Sequence, residues 1–87
     1  MAAFTIVYTD EMIAQDIPAL PKTMRGRIQV EIANRLTVDP VAFGKPLRFE
    51  LKGCRRLRVG DWRVVYQISG KTVTVIAIKH RSKIYED

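Results

Sequence analysis

The stretch LRVGDWRVVYQISGKTVTVIAI, residues 57–78, decides the fold of this chain. It contains two turn signals, Gly60-Asp61 and Ser69-Gly70, between runs that are rich in Val, Ile, Tyr and Trp. Two-residue loops that contain glycine and lie between such runs are typical of β-hairpins. The stretch therefore predicts three consecutive antiparallel strands.

The first hairpin has a register that can be counted. If Gly60-Asp61 is a two-residue loop, Arg58 lies directly opposite Arg63, and Arg56 lies opposite Val65. Directly opposed residues share a face of the sheet, and side chains alternate between the faces along a strand. The three arginines are therefore expected on one face. The other face, which a layer of helices would cover, receives Leu57, Val59, Trp62, Val64 and Tyr66.

The expected opposition of two arginines conflicts with ordinary sheet design, because like charges in directly opposed positions repel. Local rules of this kind are often broken at functional sites. A phosphate group between the arginines would relieve the repulsion, since guanidinium groups bind phosphate bidentately and stay charged near neutral pH. The alternative is that the side chains point into water, where the repulsion is mild. The number of converging arginines favours an anion site.

The residues before the hairpins predict one strand and two helices. Residues 4–8 alternate as a strand does, and Thr9 or Asp10 can cap a helix that follows. That helix must be short or irregular, because Pro18 and Pro21 interrupt it. A second, longer helix is indicated by apolar residues that recur every four positions, namely Met24, Ile28, Ile32 and Leu36.

The second helix is followed by a connecting segment. The Asp39-Pro40 step ends the helix, because the residue before a proline avoids the helical region. Residues 41–53 are punctuated by glycine and proline, and they predict a loop with a short extended piece at 47–51.

The predicted order of elements is β-α-α-β-β-β, in a single domain that spans residues 1–87. A chain of 87 residues allows one core between two packed layers. We therefore expect an α+β fold, in which the two N-terminal helices pack on one face of an antiparallel sheet. The first strand is expected beside one of the later strands.

Basic residues are concentrated in the half of the chain that forms the predicted sheet. Residues 1–44 carry four Lys/Arg and five Asp/Glu, whereas residues 45–87 carry eleven Lys/Arg and four Asp/Glu, a net charge of +7. This asymmetry suggests a nucleic acid or an acidic protein as the partner. Solubility alone is the alternative explanation.

The last predicted strand is followed by a basic tail, KHRSKIY, at residues 79–85. His80 is the only histidine, and the cations on either side favour its neutral form, which can accept a proton. Tyr85 offers a hydroxyl for proton transfer or a ring on which a base can stack. Anchoring the C-terminus to the core is the alternative role for Tyr85.

The composition disfavours several kinds of site. The single cysteine, Cys54, excludes an internal disulfide, and one histidine with scattered acidic residues offers no metal site. No glycine-rich phosphate loop precedes a helix, so no cofactor is expected. The chain shows no signal-peptide pattern and no run of about 20 apolar residues, so we expect a cytoplasmic protein without a membrane partner.

Taken together, these residues resemble the RelE/ParE superfamily of bacterial toxin–antitoxin toxins. The resemblance is carried by LRVGDWRVVY at 57–66 and HRSKIY at 80–85, supported by LPK at 20–22 and by Asp39-Pro40, and it covers nearly the whole chain. It implies a RelE-like, microbial-RNase-like fold that a small antitoxin wraps and holds inactive. In the RelE branch it also implies ribosome-dependent cleavage of mRNA in the A site, in which a 2′-hydroxyl attacks the adjacent phosphate without a metal.

The resemblance implies roles for individual residues. The residues expected at the catalytic centre are Arg58, Arg63, His80, Arg81 and Tyr85. The residues expected to bind flanking phosphates of the RNA are Lys52, Arg56, Lys79 and Lys83. The arginines would stabilise the developing negative charge, while Tyr85 or His80 would transfer protons. The basic pair expected as lysines in RelE proper falls on Arg56 and Arg58, which disfavours a role that requires proton loss.

Two other functions stay open at this point. A ParE-like toxin would keep the scaffold but inhibit DNA gyrase without nuclease activity, and an inactive scaffold would only bind its antitoxin and operator DNA. The partners that the resemblance implies are an acidic, RelB-like antitoxin that folds on binding, the ribosome with its mRNA, and operator DNA through the antitoxin. A cationic face beside apolar strand residues suits such an acidic, amphipathic segment.

Overall fold

A mixed five-stranded sheet forms the centre of the fold, in a computed structural model that describes residues 3–48 and 51–84. The strands are β1 (Thr5–Tyr8), β2 (Lys45–Pro46), β3 (Arg55–Val59), β4 (Trp62–Ser69) and β5 (Thr72–His80). Their spatial order is β1-β5-β4-β3-β2, so the predicted three-stranded meander occupies the middle of the sheet. A single 3₁₀ turn, Arg81–Lys83, follows β5.

Two helices connect β1 to β2. The first, α1, consists of a π-helical segment, Met12–Asp16, and an α-helical turn, Ile17–Ala19. The second, α2, runs over Lys22–Glu31 and continues as a π-helical segment, Ile32–Leu36. Within residues 3–48 and 51–84, neither helix combines the length and the apolar character that crossing a bilayer requires.

Local signals in the sequence account for the ends of the helices. The Thr9 hydroxyl accepts a hydrogen bond from the Met12 N–H at 3.2 Å, as expected of a cap. Pro18 lies within α1, just after its π-helical segment, and the irregular helix continues through it without the hydrogen bond that a proline cannot donate. Pro21 is extended and separates the two helices.

The main core lies between the helices and one face of the sheet. It includes the predicted residues Leu57, Val59, Val64 and Tyr66, and Trp62 packs against it while half-buried. The helices contribute Met12, Leu20, Ile28, Ile32 and Leu36 to the same cluster. The expected α+β fold, with its helices on one face, is confirmed.

The two edge strands of the sheet differ from the prediction. β1 pairs with β5 in parallel, with Thr5 opposite Thr72 and Tyr8 opposite Val75, rather than antiparallel. No tight turn constrains its direction, because the chain between β1 and β5 passes through both helices and the rest of the sheet. The short extended piece expected at 47–51 is found earlier, at Lys45–Pro46, and residues 49 and 50 lie outside the described ranges.

The second hairpin turns one residue later than its sequence suggested. Ser69 pairs with Thr72, so the loop is Gly70-Lys71 and not Ser69-Gly70. Gly70 has a φ of 59°, a conformation that glycine adopts without cost. This register places Ile68 opposite Val73 and packs both against the main core, whereas a slip of one residue would exchange the faces.

A β-bulge interrupts the pairing of β4 with β5. Val65 lies opposite Ala77 and Tyr66 lies opposite Val75, so Ile76 is the extra residue. Ile76 and Ala77 consequently pack on the face away from the helices, beside a small cluster formed by Leu47, Cys54 and Val65. After the bulge, side chains alternate between the two faces again, and Ile78 packs in the main core.

Candidate nucleic-acid interface

Three basic residues lie side by side on the face of the sheet away from the helices. Arg58 of β3 is directly opposite Arg63 of β4, and Arg63 is directly opposite Lys79 of β5. Neighbouring strands are about 4.8 Å apart, so the three positions form one line across the sheet, here termed the cationic row. The predicted opposition of Arg58 and Arg63 is confirmed, and the structure adds Lys79 to it.

Arg63 is held in place by the protein, while Arg58 is exposed. Arg63 is 4% exposed, and its Nη1 donates hydrogen bonds to the carbonyl oxygens of Gly60 at 3.0 Å and Trp62 at 3.1 Å. The alternative that all three arginines simply point into water is therefore wrong for Arg63. Fixing a guanidinium group in this way prepares it to bind an anion without further loss of conformational freedom.

The third member of the row, Lys79, is tied to a carboxylate on α1. Its Nζ lies 2.9 Å from Oδ1 of Asp16, while Oδ2 of Asp16 accepts the Ile78 N–H at 2.9 Å. Asp16 is buried, and its carboxylate accepts the backbone N–H of Ile78, which lies beyond the end of the pairing between β5 and β1. This contact was not predicted, because a single acid on a helix gives no sign of a partner more than 60 residues away.

Arg56 occupies the same face two residues before Arg58. It lies opposite Val65, as predicted, and is half-buried. The two remaining lysines of the expected RNA-binding set, Lys52 and Lys83, are exposed and lie outside the paired strands.

His80 does not join the cationic row. It lies opposite Trp62, and the two rings meet edge to face with centroids 5.5 Å apart. Since Trp62 packs against the main core, His80 lies on the helix side of the sheet. The bulge at Ile76 places His80 on this side, because it shifts the alternation of side chains along β5 by one residue.

The imidazole of His80 is also engaged in a local hydrogen bond. Its Nδ1 accepts the Ser82 N–H at 3.3 Å and lies 3.0 Å from the Ser82 hydroxyl oxygen. An imidazole that accepts at Nδ1 and is neutral carries its proton on Nε2. The lone pair that a general base would use is therefore occupied.

Arg81 lies beside the turn that Arg63 contacts. Its N–H donates to the Asp61 carbonyl at 2.8 Å, and its Nε is 3.8 Å from a carboxylate oxygen of Asp61. Both side chains are exposed, so this ion pair is weak. The Gly60-Asp61 turn thus brings Arg81 to the end of the hairpin at which Arg63 is held. Tyr85, the remaining member of the predicted catalytic set, lies outside the described residues.

Arg55 has a structural role that its place among basic neighbours in the sequence did not indicate. It lies opposite Tyr66, on the helix side, and its Nη2 donates to the carbonyl oxygens of Val41 at 3.0 Å and Gly44 at 3.3 Å. The Tyr66 hydroxyl donates to the Pro40 carbonyl at 2.6 Å, and burial raises the pKa of Tyr66, an effect that Arg55 partly offsets. These two residues fix the loop that leads into β2.

An apolar groove lies away from the cationic row, where the helices meet β1 and β5. Its volume is about 210 Å³, and Arg25 and Gln29 lie among its lining residues. Burial raises the pKa of Tyr8, which also lines it. The apolar lining comes from Ile17, Leu20, Ile28, Ile32 and Ile78.

The chain is similar to known toxins over most of its length. Residues 8–85 match the family described as the ParE toxin of the type II toxin–antitoxin system parDE. Toxin RelG of Mycobacterium tuberculosis is 33% identical over 73 residues, covering 82% of this chain and 84% of the relative. Toxin RelE of the same organism is 36% identical over 74 residues, covering 83% of this chain and 76% of the relative.

A solved structure agrees with these sequence relatives. The toxin–antitoxin complex RelBE2 from Mycobacterium tuberculosis contains a chain that is 33% identical, with a TM-score of 0.78, over 91% of this chain and 99% of that one. The fold, the sequence identity and the hairpin with its basic tail therefore all indicate the same superfamily of toxins. This chain belongs to the RelE/ParE superfamily of type II toxin–antitoxin toxins.

Proposed function

We propose that this toxin is a ribosome-dependent mRNA endoribonuclease that inhibits translation. The observation that carries the proposal is the cationic row, in which Arg58 and Arg63 are directly opposed and Arg63 is held by two backbone carbonyls. Guanidinium groups bind phosphate bidentately, so two of them on one face of the sheet support a phosphate site here. The curated relatives named RelE and RelG support this branch of the superfamily.

In this mechanism the 2′-hydroxyl of one nucleotide attacks the adjacent phosphate, and the 5′-oxygen of the next nucleotide leaves. Arg58, Arg63 and Arg81 stabilise the additional negative charge that develops on the phosphate oxygens. The effect is large when the cations are already in position, as Arg63 is. Lys52, Arg56, Lys79 and Lys83 bind the flanking phosphates, which makes binding dependent on salt.

The proton transfers at the two oxygens need a separate group. His80 is less suited to this than its place in the sequence suggested, because it lies on the helix side of the sheet and its Nδ1 accepts from Ser82. We therefore assign the proton transfers to Tyr85 in preference to His80. A His80→Gln variant should accordingly retain more mRNA cleavage than a Tyr85→Phe variant.

The proposed partners follow from the same surfaces. An acidic, RelB-like antitoxin that folds on binding suits the apolar groove, because Arg25 lies among its lining residues and can pair with the acidic side of an amphipathic segment. The ribosome and its mRNA would meet the cationic row, and operator DNA would be bound through the antitoxin. The site of action would be the cytoplasm.

The proposal is tested by inducing the toxin alone and mapping the 5′ ends of cellular mRNA. Arg58→Ala with Arg81→Ala removes two exposed cations, and we expect growth inhibition and cleavage within codons to be lost while the antitoxin still binds. Lys22→Ala with Lys71→Ala removes the same charge from two exposed positions outside the cationic row and the Gly60-Asp61 turn, and serves as the control. Cleavage by the Arg58/Arg81 variant at the rate of the control would refute the assignment.

A second function has one observation in its favour. The family that matches the chain is described as the ParE toxin of a type II toxin–antitoxin system. A ParE-like toxin would inhibit DNA gyrase without cutting RNA. The same induction experiment distinguishes the two functions. An SOS response with intact mRNA supports gyrase inhibition, rapid arrest with cut mRNA supports the nuclease, and the absence of both indicates an inactive scaffold.

A further inference from the structure

The Gly60-Asp61 turn is approached from the helix layer by Arg27 of α2. A Cβ atom built on Gly60 would lie 3.3 Å from Nη1 of Arg27 and 3.8 Å from its Cζ, so the guanidinium group packs against the bare Cα of the turn. Arg27 is exposed, and Glu31, the acid one helical turn further on, pairs with Arg35. The missing side chain at Gly60 thus lets a cation from α2 reach the end of the first hairpin.

Arg27 and Arg25 lie on different sides of α2. Residues two apart in an α-helix are separated by about 200° around its axis. Arg25 lines the apolar groove beside β1 and β5, where we place the antitoxin, whereas Arg27 contacts the turn between β3 and β4. Arg27 therefore lies away from the groove, at the end of the sheet that carries the proposed active site.

A second cation reaches the same turn from the 3₁₀ turn after β5. The backbone N–H of Arg81 donates to the Asp61 carbonyl at 2.8 Å, and its Nε is 3.8 Å from the Asp61 carboxylate. The two side chains are 63% and 66% exposed, so their ion pair is weak and a phosphate can replace the carboxylate. Arg27 and Arg81 thus meet one two-residue turn from different elements of the fold.

Aromatic rings lie at the same end of the sheet, on the helix side from which Arg27 approaches. Trp62 directly follows the turn, and its ring meets that of His80 edge to face, with centroids 5.5 Å apart. Both residues are half-buried, so the protein covers the pair incompletely. Cations beside such rings suit single-stranded nucleic acid, whose phosphates bind the cations while its bases stack on the rings. The alternative is that Trp62 and His80 only close this end of the core.

We propose that Arg27 is an RNA-binding residue, which binds the phosphate of a nucleotide that flanks the scissile phosphate while the base of that nucleotide stacks on the Trp62–His80 pair. The RNA then passes from the cationic row around the Gly60-Asp61 turn to the helix side. The inference rests on the proposed function in taking RNA as the ligand. RNA is favoured over an acidic segment of the antitoxin, because a stacking surface accompanies the cation and the groove lies on the other side of α2.

The test uses Trp62, the only tryptophan of the chain, as a reporter. The purified toxin is titrated at one pH and several salt concentrations with a mixed-sequence 12-mer of 2′-O-methyl RNA, which cannot be cleaved. Affinity is measured from the anisotropy of labelled RNA, and Trp62 emission is recorded with unlabelled RNA. A base stacked on the indole should quench this emission in the wild-type toxin.

The contact with Arg27 is tested by substitution in the same titration. One lost phosphate contact lowers the slope of log K against log salt by about 0.7, equivalent to about fivefold in affinity at 0.1 M salt. We expect this change for Arg27→Ala and not for Arg27→Lys. Lys22→Ala, which removes an exposed lysine at the start of α2, is the control and should keep the wild-type slope.

The possible outcomes separate the explanations. A wild-type slope for Arg27→Ala, Trp62 emission that does not change on binding, or a wild-type toxin that does not bind the RNA overturns the inference. A variant that loses antitoxin affinity and keeps the RNA slope shows that Arg27 serves the protein partner, and a slope that falls only with stability in urea shows a structural role. Both results also overturn it. Cleavage of mRNA by the induced toxin is measured separately, so the proposed function can stand when this contact fails.

Discussion

The two faces of the five-stranded sheet differ in the side chains that they present. On the helix side, Leu57 and Val64 are directly opposed and almost fully buried in an apolar core. On the other side, one residue along each strand, Arg58 and Arg63 are directly opposed. Two neighbouring residues of β3 thus belong to surfaces with different requirements.

This difference separates the packing that stabilises the fold from the surface that we propose binds RNA. The helix side follows the rules of packing, with large apolar residues from both layers in one cluster. The other side contains a small apolar cluster and a series of directly opposed cations. Such an arrangement is expected where a ligand supplies the opposite charge.

The largest effect on stability is expected for Leu57→Ala, on the helix side of the sheet. Leu57 is 1% exposed, and truncating a buried leucine costs about 3 kcal/mol through lost burial and the remaining cavity. The urea midpoint of the purified toxin should fall accordingly, whereas the affinity of the folded fraction for a short 2′-O-methyl RNA, which cannot be cleaved, should stay unchanged. A midpoint within error of wild type would show that the main core does not depend on this side of β3.

The parts of this arrangement that the sequence predicted are those fixed by local signals. Gly60 has a φ of 61° in a two-residue turn, so the pairing of Arg58 with Arg63 could be counted from the turn. The spacing of Ile28, Ile32 and Leu36 similarly identified the buried side of α2. In both cases the decisive contacts lie close together in the chain.

The parts that could not be predicted depend on contacts between distant segments. The bulge at Ile76, which places Lys79 rather than His80 on the face of the cationic row, allows both Val75 and Ile78 to reach the helices, and no turn residue marks it. Gly44 faces the Tyr66 hydroxyl so closely that a Cβ would lie 1.7 Å from it, yet in the sequence it is only a loop glycine. Tertiary packing decides such positions.

An intermediate effect is expected for Asp16→Asn, because Asp16 connects the helix layer to the cationic row. An asparagine can still accept the Ile78 N–H, but it loses the charge-assisted hydrogen bond with Lys79, for which we expect a cost of about 1.5 kcal/mol. Hydrogen exchange at the Ile78 amide should also become faster. Asp10→Asn, an exposed acid before α1, is the matched control, and equal losses in the two variants would contradict a specific role for Asp16.

The smallest effect on stability, and the one of opposite sign, is expected for Arg58→Ala. Removing an exposed arginine from a like-charged pair should leave the free energy of unfolding within about 0.5 kcal/mol of wild type, on the stabilising side. The gain should shrink as salt is added, since screening already weakens the repulsion. RNA affinity should fall in the same protein, measured at the same salt concentrations as the unfolding curves. A variant that loses both stability and RNA binding would show that Arg58 supports the fold itself, and the division between the two faces of β3 would then not hold.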